Sequence, residues 1–240
     1  MWYAADGLHG AASHMVLRSE SKDALIRRIE ELSRALAAER LSKISEEASH
    51  AFVQAAPSPN VGHTIGHFSA HYSRVLRRDM KAWWQEVVLS GGAGDGMEEN
   101  RAIVCGKQLV GRTLNIFPHH SVALLATDSR FRIVAHAKDD ARPLVYEGLS
   151  QTGLGVPVGL ISHVPLDMVA SKERPLIIVT SSLSGTYPDG IFVGIVTGLR
   201  PSTNGVFQEG VVLLPSSLSA VREVAVLFPC QEDLEQGSQN

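Results

Sequence analysis

Apolar residues recur with two different periods along the chain, and the change between them falls near residue 57. From Ser21 to Ala51 there is neither glycine nor proline, and Leu25, Ile29, Leu32 and Leu36 follow one another at helical spacing. That spacing lines one face of an α-helix and predicts a helical stalk over 21–56. Ser21 and Asp23 suit its start, where a hydroxyl accepts from an orphan amide and an acid meets the positive end of the dipole. Asp23 with Arg27, and Glu30 with Arg34, set an acid four residues before a base, the favourable order on an exposed helix face. The first half reads as a coiled-coil seam, but Glu39 falls at the next seam position, and Leu41 and Ile44 take up a shifted stripe. Two readings stand: the stripe pairs with another copy, or it packs on its own globular part.

Pro57, Pro59 and Gly62 end the helix and make 57–69 a linker, because proline cannot continue a helix and glycine adds freedom. Beyond it the period shortens. Runs of β-branched and aliphatic residues predict strands at Trp84–Leu89, Ala102–Val104, Leu109–Ile116, Ser121–Thr127, Arg130–Ala137, Val156–Ser162, Leu176–Thr180, Ile191–Thr197, Gln208–Leu214 and Glu223–Phe228. Asp95-Gly96, Asp189-Gly190 and Asn204-Gly205 are dipeptides that accept positive φ cheaply, so Gly96 and Gly190 are expected in turns. Val110-Gly111 and Val193-Gly194 place a glycine inside a strand, as at a bulge or barrel corner. The predicted fold is mainly β: an N-terminal helix followed by two small β-barrel domains, 70–138 and 139–228, between which strands can exchange. A flexible N-terminus, 1–20, and a polar tail, 229–240, flank them.

Composition narrows the function classes. The 240 residues are 44% hydrophobic and 20% charged, enough for a packed core. A net charge of -3 leaves no basic excess to neutralise a phosphate backbone, so nucleic acid is not an expected partner. Two cysteines, Cys105 and Cys230, exclude a disulfide framework. No stretch approaches the roughly 20 apolar residues of a spanning helix, and Met1–Leu17 lacks the regions of a secretory signal.

Ten histidines invite a search for chemistry. His63, His67 and His71 recur every fourth residue, but Pro59, Gly62 and Gly66 argue against the helix such ligands would need, and no metal site is expected. His119 and His120 follow Pro118 in a predicted turn. Ser181-Ser182-Leu183-Ser184-Gly185 offers hydroxyls beside Gly185, and His119 and Asp128 precede it in the order of a chymotrypsin-like triad, yet the loop lacks the Gly-Asp-Ser-Gly type of nucleophile turn. A serine hydrolase on a double barrel is therefore a secondary reading, as is a helix-linked adaptor. Neither a catalytic residue nor a cofactor is expected.

Taken in order, these segments resemble the rod shape-determining protein MreC family. The likeness runs through Val75-Leu76-Arg77-Arg78-Asp79, Trp83-Trp84, Asp95-Gly96-Met97, Ala102-Ile103-Val104 and Leu109-Val110-Gly111-Arg112. It continues through Pro118-His119-His120-Ser121 and Ala123-Leu124-Leu125-Ala126-Thr127-Asp128, is strongest from Val179 to Val196, and closes with Leu214-Pro215-Ser216-Ser217-Leu218 and Val224-Ala225-Val226-Leu227. Asn100, Ser182 and Ser184 stand where the family has glycine, and 141–174 departs from its pattern. The resemblance implies a non-catalytic scaffold of cell-wall elongation at the periplasmic face of the bacterial inner membrane. By the same resemblance the partners are the elongation transpeptidase, MreD and MreB, with homodimers or larger self-assemblies. The family carries a membrane anchor before its coiled coil; here either the chain begins downstream of that anchor or it is a divergent soluble form.

Overall fold

A computed structural model describes Lys43, Thr64–Ile65 and residues 68–150, 156–203 and 205–230. The predicted stalk, with Leu25, Ile29, Leu32 and Leu36, lies outside the described residues apart from Lys43, which is helical. The terminus 1–20 and the tail beyond Cys230 lie outside them as well.

The described part is built of strands: β1 (Thr64–Ile65), β2 (Phe68–Arg78), β3 (Glu86–Ser90), β4 (Ala102–Cys105), β5 (Gln108–Ile116), β6 (His120–Leu125), β7 (Arg132–Ala137), β8 (Asp140–Gly148), β9 (Val158–Val164), β10 (Leu176–Thr180), β11 (Phe192–Val196), β12 (Arg200–Pro201), β13 (Gln208–Leu213) and β14 (Glu223–Pro229). Short 3-10 turns at Ala93–Asp95, Ser182–Ser184 and Ser216–Ala220 interrupt them. The alternating burial along β3 shows why this sequence takes the extended form: one side chain in two enters the core.

Six strands close a barrel core. β4 pairs with β5, β5 with β6, β6 with β3, β3 with β2, β2 with β14, and β14 returns to β4, every pair antiparallel. A second circuit of pairings runs through β7, β8, β9, β13, β11 and β10, and back to β7. The two meet where β11 lies parallel to β5, Phe192 opposite Gln108, with the Phe192 amide donating to Lys107 O at 2.9 Å.

Residues 70–138 and 139–228, expected as two barrel domains between which strands can exchange, lie in one compact unit and share a core. Residues 44–240 form one compact unit, and one hydrophobic cluster runs from Leu89, Ile103 and Leu124 through Phe131 to Tyr146, Ile161 and Ile178. Each fully buried large aliphatic contributes roughly 1.5–3 kcal/mol, so this shared core binds the halves together. The pairings also cross the expected boundary: Arg132–Ala137 sits in the second circuit, while Glu223–Pro229, the last strand, closes the first.

Ladder irregularities shape the sheet. Along β4 and β5 the register shifts between Ile103, opposite Gly111, and Val104, opposite Leu109, which leaves Val110 as the extra residue. Along β10 and β11 it shifts between Ile178, opposite Gly194, and Val179, opposite Phe192, which leaves Val193 extra. Such bulges bend and twist a strand. Both glycines sit where a Cβ would overlap a carbonyl oxygen, that of Leu124 for Gly111 and that of Leu213 for Gly194.

Two strands differ from the sequence expectation. Periodicity predicted neither β2, eleven residues from Phe68, nor β8, nine residues from Asp140, although the family resemblance put an opening strand at Val75–Asp79. Trp84, predicted to start a strand, belongs to a turn instead; its side chain is 3% exposed and its carbonyl accepts from the Thr127 hydroxyl.

Candidate functional site

The segment between β10 and β11, residues 181–191, is shaped by hydrogen bonds between side chains and backbone. Thr180 pins its neck. The Thr180 hydroxyl donates to Pro188 O at 2.6 Å and accepts from the Ile191 amide at 3.0 Å, while its backbone bonds Ile191 O and the Gly190 amide. The Ser181 hydroxyl accepts from the Leu183 amide at 3.3 Å, capping the turn Ser182–Ser184. Gly185, at φ 67°, closes that turn by donating to Ser182 O at 2.8 Å, and Gly190, at φ 80°, turns the chain into β11. Both conformations favour glycine, since a Cβ crowds the backbone in the left-handed region.

The loop has an exposed tip and a buried foot. Ser182, Leu183, Ser184 and Gly185 face solvent, with Leu183 69% exposed. Tyr187 is 3% exposed. Its ring meets Phe131 edge-on, centroids 6.3 Å apart, and Phe131 meets Tyr146 in the same way at 6.3 Å. The Arg112 guanidinium lies over the Phe131 ring at 5.7 Å. Burial pushes the Tyr187 phenol up to about 12, against the opposing pull of Arg112. The foot therefore ties the loop to β5 and to the segment between β6 and β7.

The carboxylate of the hydrolase reading is engaged elsewhere. Asp128 is 2% exposed and accepts from the Arg130 amide at 2.7 Å and from the Arg130 guanidinium at 2.9 and 3.0 Å. Burial pushes its carboxyl up, but the hydrogen bonds and charge of Arg130 outweigh that and hold it below its ordinary value. His120 opens β6 and stacks on Phe117, centroids 4.6 Å apart, and the His119 amide borders Gly92. The histidine beside the serine loop is His136, which no sequence motif singled out. Its Nδ1 lies 2.8 Å from Ala137 O and its Nε2 lies 3.2 Å from Asp189 Oδ1, so both nitrogens are engaged and neither faces a serine. Such an arrangement positions a loop rather than drawing a proton from a hydroxyl.

Gly96, at φ 77°, closes the turn Ala93–Asp95, and Asn100 takes φ 58°, a region asparagine tolerates. His71 lies in β2 opposite Val226, while His63 and His67 are outside the described residues. Among the described residues no group of three or more His, Cys, Asp or Glu could hold a metal ion, and none of their helices is long and apolar enough to cross a membrane. Cys105 and Cys230 are free thiols.

The pairing of an exposed hydroxyl-rich tip with an aromatic foot is missing from sequence reasoning because Phe131, Tyr146 and Arg112 lie 41 to 75 residues away from Tyr187 along the chain. Only Gly185 and Gly190 signalled turns in this stretch.

Known proteins share this architecture. The chain is 22% identical over 153 residues to the cell shape-determining protein MreC of Listeria monocytogenes, which covers 64% of this chain and 51% of that protein. It spans about half the length of the curated relatives it matches. A solved structure of the Listeria MreC superposes with a TM-score of 0.60 at 19% identity, covering 88% of this chain and 97% of that one. A complex between penicillin-binding protein 2 and MreC from Helicobacter pylori is a weaker match, with a TM-score of 0.49 and 16% identity over 66% of this chain and 98% of that one. The family profile described as rod shape-determining protein MreC, barrel core, matches residues 75–228, from the middle of β2 almost to the end of β14. With that match over more than half its residues, the chain belongs to the MreC family.

Proposed function

We propose that this protein is a non-catalytic scaffold of the bacterial cell-wall elongation machinery, maintaining cell shape by binding other proteins. The observation that carries this reading is the match of the closed six-strand core to the barrel core of the shape-determining family. The loop geometry agrees with it, since the Thr180 and Ser181 hydroxyls and the Asp189 carboxylate hold backbone in place. Membership in this family favours the elongation transpeptidase as the main partner, as MreC from Helicobacter pylori is found in complex with penicillin-binding protein 2. MreD and further copies of the chain complete the proposed assembly at the periplasmic face of the inner membrane, with the actin-like MreB across the membrane.

Within the compact unit, the two circuits of strands act as two small barrels that offer a rigid, two-lobed surface, and the stalk over 21–56 sets spacing or pairing through Leu25, Ile29, Leu32 and Leu36. Depletion in the rod-shaped bacterium that carries the protein is expected to give rounded cells. The purified full chain is expected to retain that bacterium's elongation transpeptidase on a sensor surface and to take up no serine-directed fluorophosphonate. Normal rods after depletion, together with no transpeptidase binding, would overturn the proposal, and covalent labelling of a loop serine would return it to the hydrolase class.

A further inference from the structure

His136 is 9% exposed on β7, opposite Val179 of β10, and each of its ring nitrogens faces an acceptor. Nδ1 faces Ala137 O at 2.8 Å and Nε2 faces Asp189 Oδ1 at 3.2 Å. A carbonyl oxygen and an ionised carboxylate accept hydrogen bonds and donate none. Neutral imidazole has one N–H, so it can satisfy one of these partners while turning a lone pair toward the other; imidazolium satisfies both. The same Asp189 Oδ1 also accepts from the Ser182 amide at 3.2 Å, where the exposed tip of the loop begins. A proton on His136 thus fixes Asp189, and Asp189 fixes the tip.

We infer that His136 is a proton-operated latch on the loop 181–190, holding the Ser182–Ser184 tip in one presentation when charged and releasing it when neutral. Acidic and basic groups both lie near the ring. Asp189 faces the ring from the loop, and Asp140, at the start of β8, feels its charge while being held by Arg142. Lys138 and Asp139 lie in the turn between β7 and β8, and the β10 residues paired along β7, Ile178, Val179 and Thr180, carry no charge. Lowering pH closes the latch and raising it opens the latch, a response independent of which protein the tip meets.

The test follows the ring signals of His136 and the exchange protection of the Ser182 amide in the 15N-labelled full chain between about pH 5 and about pH 8, where imidazoles ordinarily change charge. Ser182 protection, corrected for intrinsic exchange, is expected to fall about three- to tenfold as His136 loses its proton, the scale of one charge-assisted hydrogen bond at a half-exposed pair. Asp189→Asn, at a side chain 58% exposed, and separately His136→Gln, are expected to flatten that response while far-UV circular dichroism stays unchanged. Constant Ser182 protection while the ring titrates, a ring that keeps one protonation state throughout, or an undiminished response in folded Asp189→Asn would each overturn the latch.

Discussion

The ring of Tyr146 lies across the backbone of Gly159, with Cε2 and the hydroxyl oxygen each 2.5 Å from where a Cβ on Gly159 would stand. From there the hydroxyl donates to Ala126 O at 2.8 Å, so a side chain of β8 passes over β9 to tie the second circuit to the end of β6. Burial pushes the phenol well above its ordinary range, which keeps it a donor at any pH the fold survives.

Replacing Gly159 by alanine should displace that ring and cost about 1–3 kcal/mol, the usual penalty of overpacking. Tyr146→Phe should cost about 1–2 kcal/mol, because the Ala126 carbonyl then loses its buried donor. Urea midpoints of the two variants and of the double variant measure the coupling, and additive effects would show that ring and glycine do not constrain each other.

Gly111→Ala and Gly194→Ala should each cost about 2–4 kcal/mol, since the new methyl meets backbone that cannot yield without breaking a ladder. Gly190→Ala, at φ 80° with open space around it, should cost only about 1 kcal/mol for the left-handed conformation. The ordering of thermal midpoints tests this, and equal losses at the three sites would contradict it.

At the foot of the loop, Tyr187→Ala should destabilise by about 3–5 kcal/mol, as expected for emptying a buried aromatic site. Tyr187→Phe keeps the edge-on contact with Phe131 and should stay within about 1 kcal/mol of the parent. Denaturant titration distinguishes the two, and a mild alanine variant would mean that the foot does not anchor the loop.

Asp128 makes acid stability predictable in sign. Its folded-state carboxyl is held below the ordinary value, so its contribution is present above about pH 4, the unfolded value, and is lost as pH falls through the folded one. Asp128→Asn should therefore be less stable than the parent by about 1–2 kcal/mol near neutrality, discounted because Arg130 is 55% exposed. The difference should shrink toward zero in acid, and a difference that persists unchanged would assign it to packing.

Strands with a strong β-branched signal, such as Leu109–Ile116 and Leu176–Thr180, were legible in the sequence because both faces of those segments are largely buried. β8 was not. Asp140, Arg142 and Pro143 hide it, and the ladder tolerates them because the register shifts between Ala135 and Ala137 on the facing strand. β2 was obscured by Tyr72, Arg74 and Arg77, which point to solvent from the outer face of a closed circuit. At the candidate site, the turn glycines were legible from local chemistry, since positive φ is a property of one residue. The contact of His136 with Asp189 was not, because the two come together only when β10 pairs with β7, 53 residues apart.

The place of β14 between β2 and β4 has a consequence for how the molecule is made. On a ribosome, the strand that completes the six-membered ring is the last to emerge, so β2 and β4 wait with unpaired margins while the second ring is already free to form. Closure waits until Glu223–Pro229 has emerged, and premature termination upstream of Glu223 would release a protein with two open seams ready to join a neighbour's.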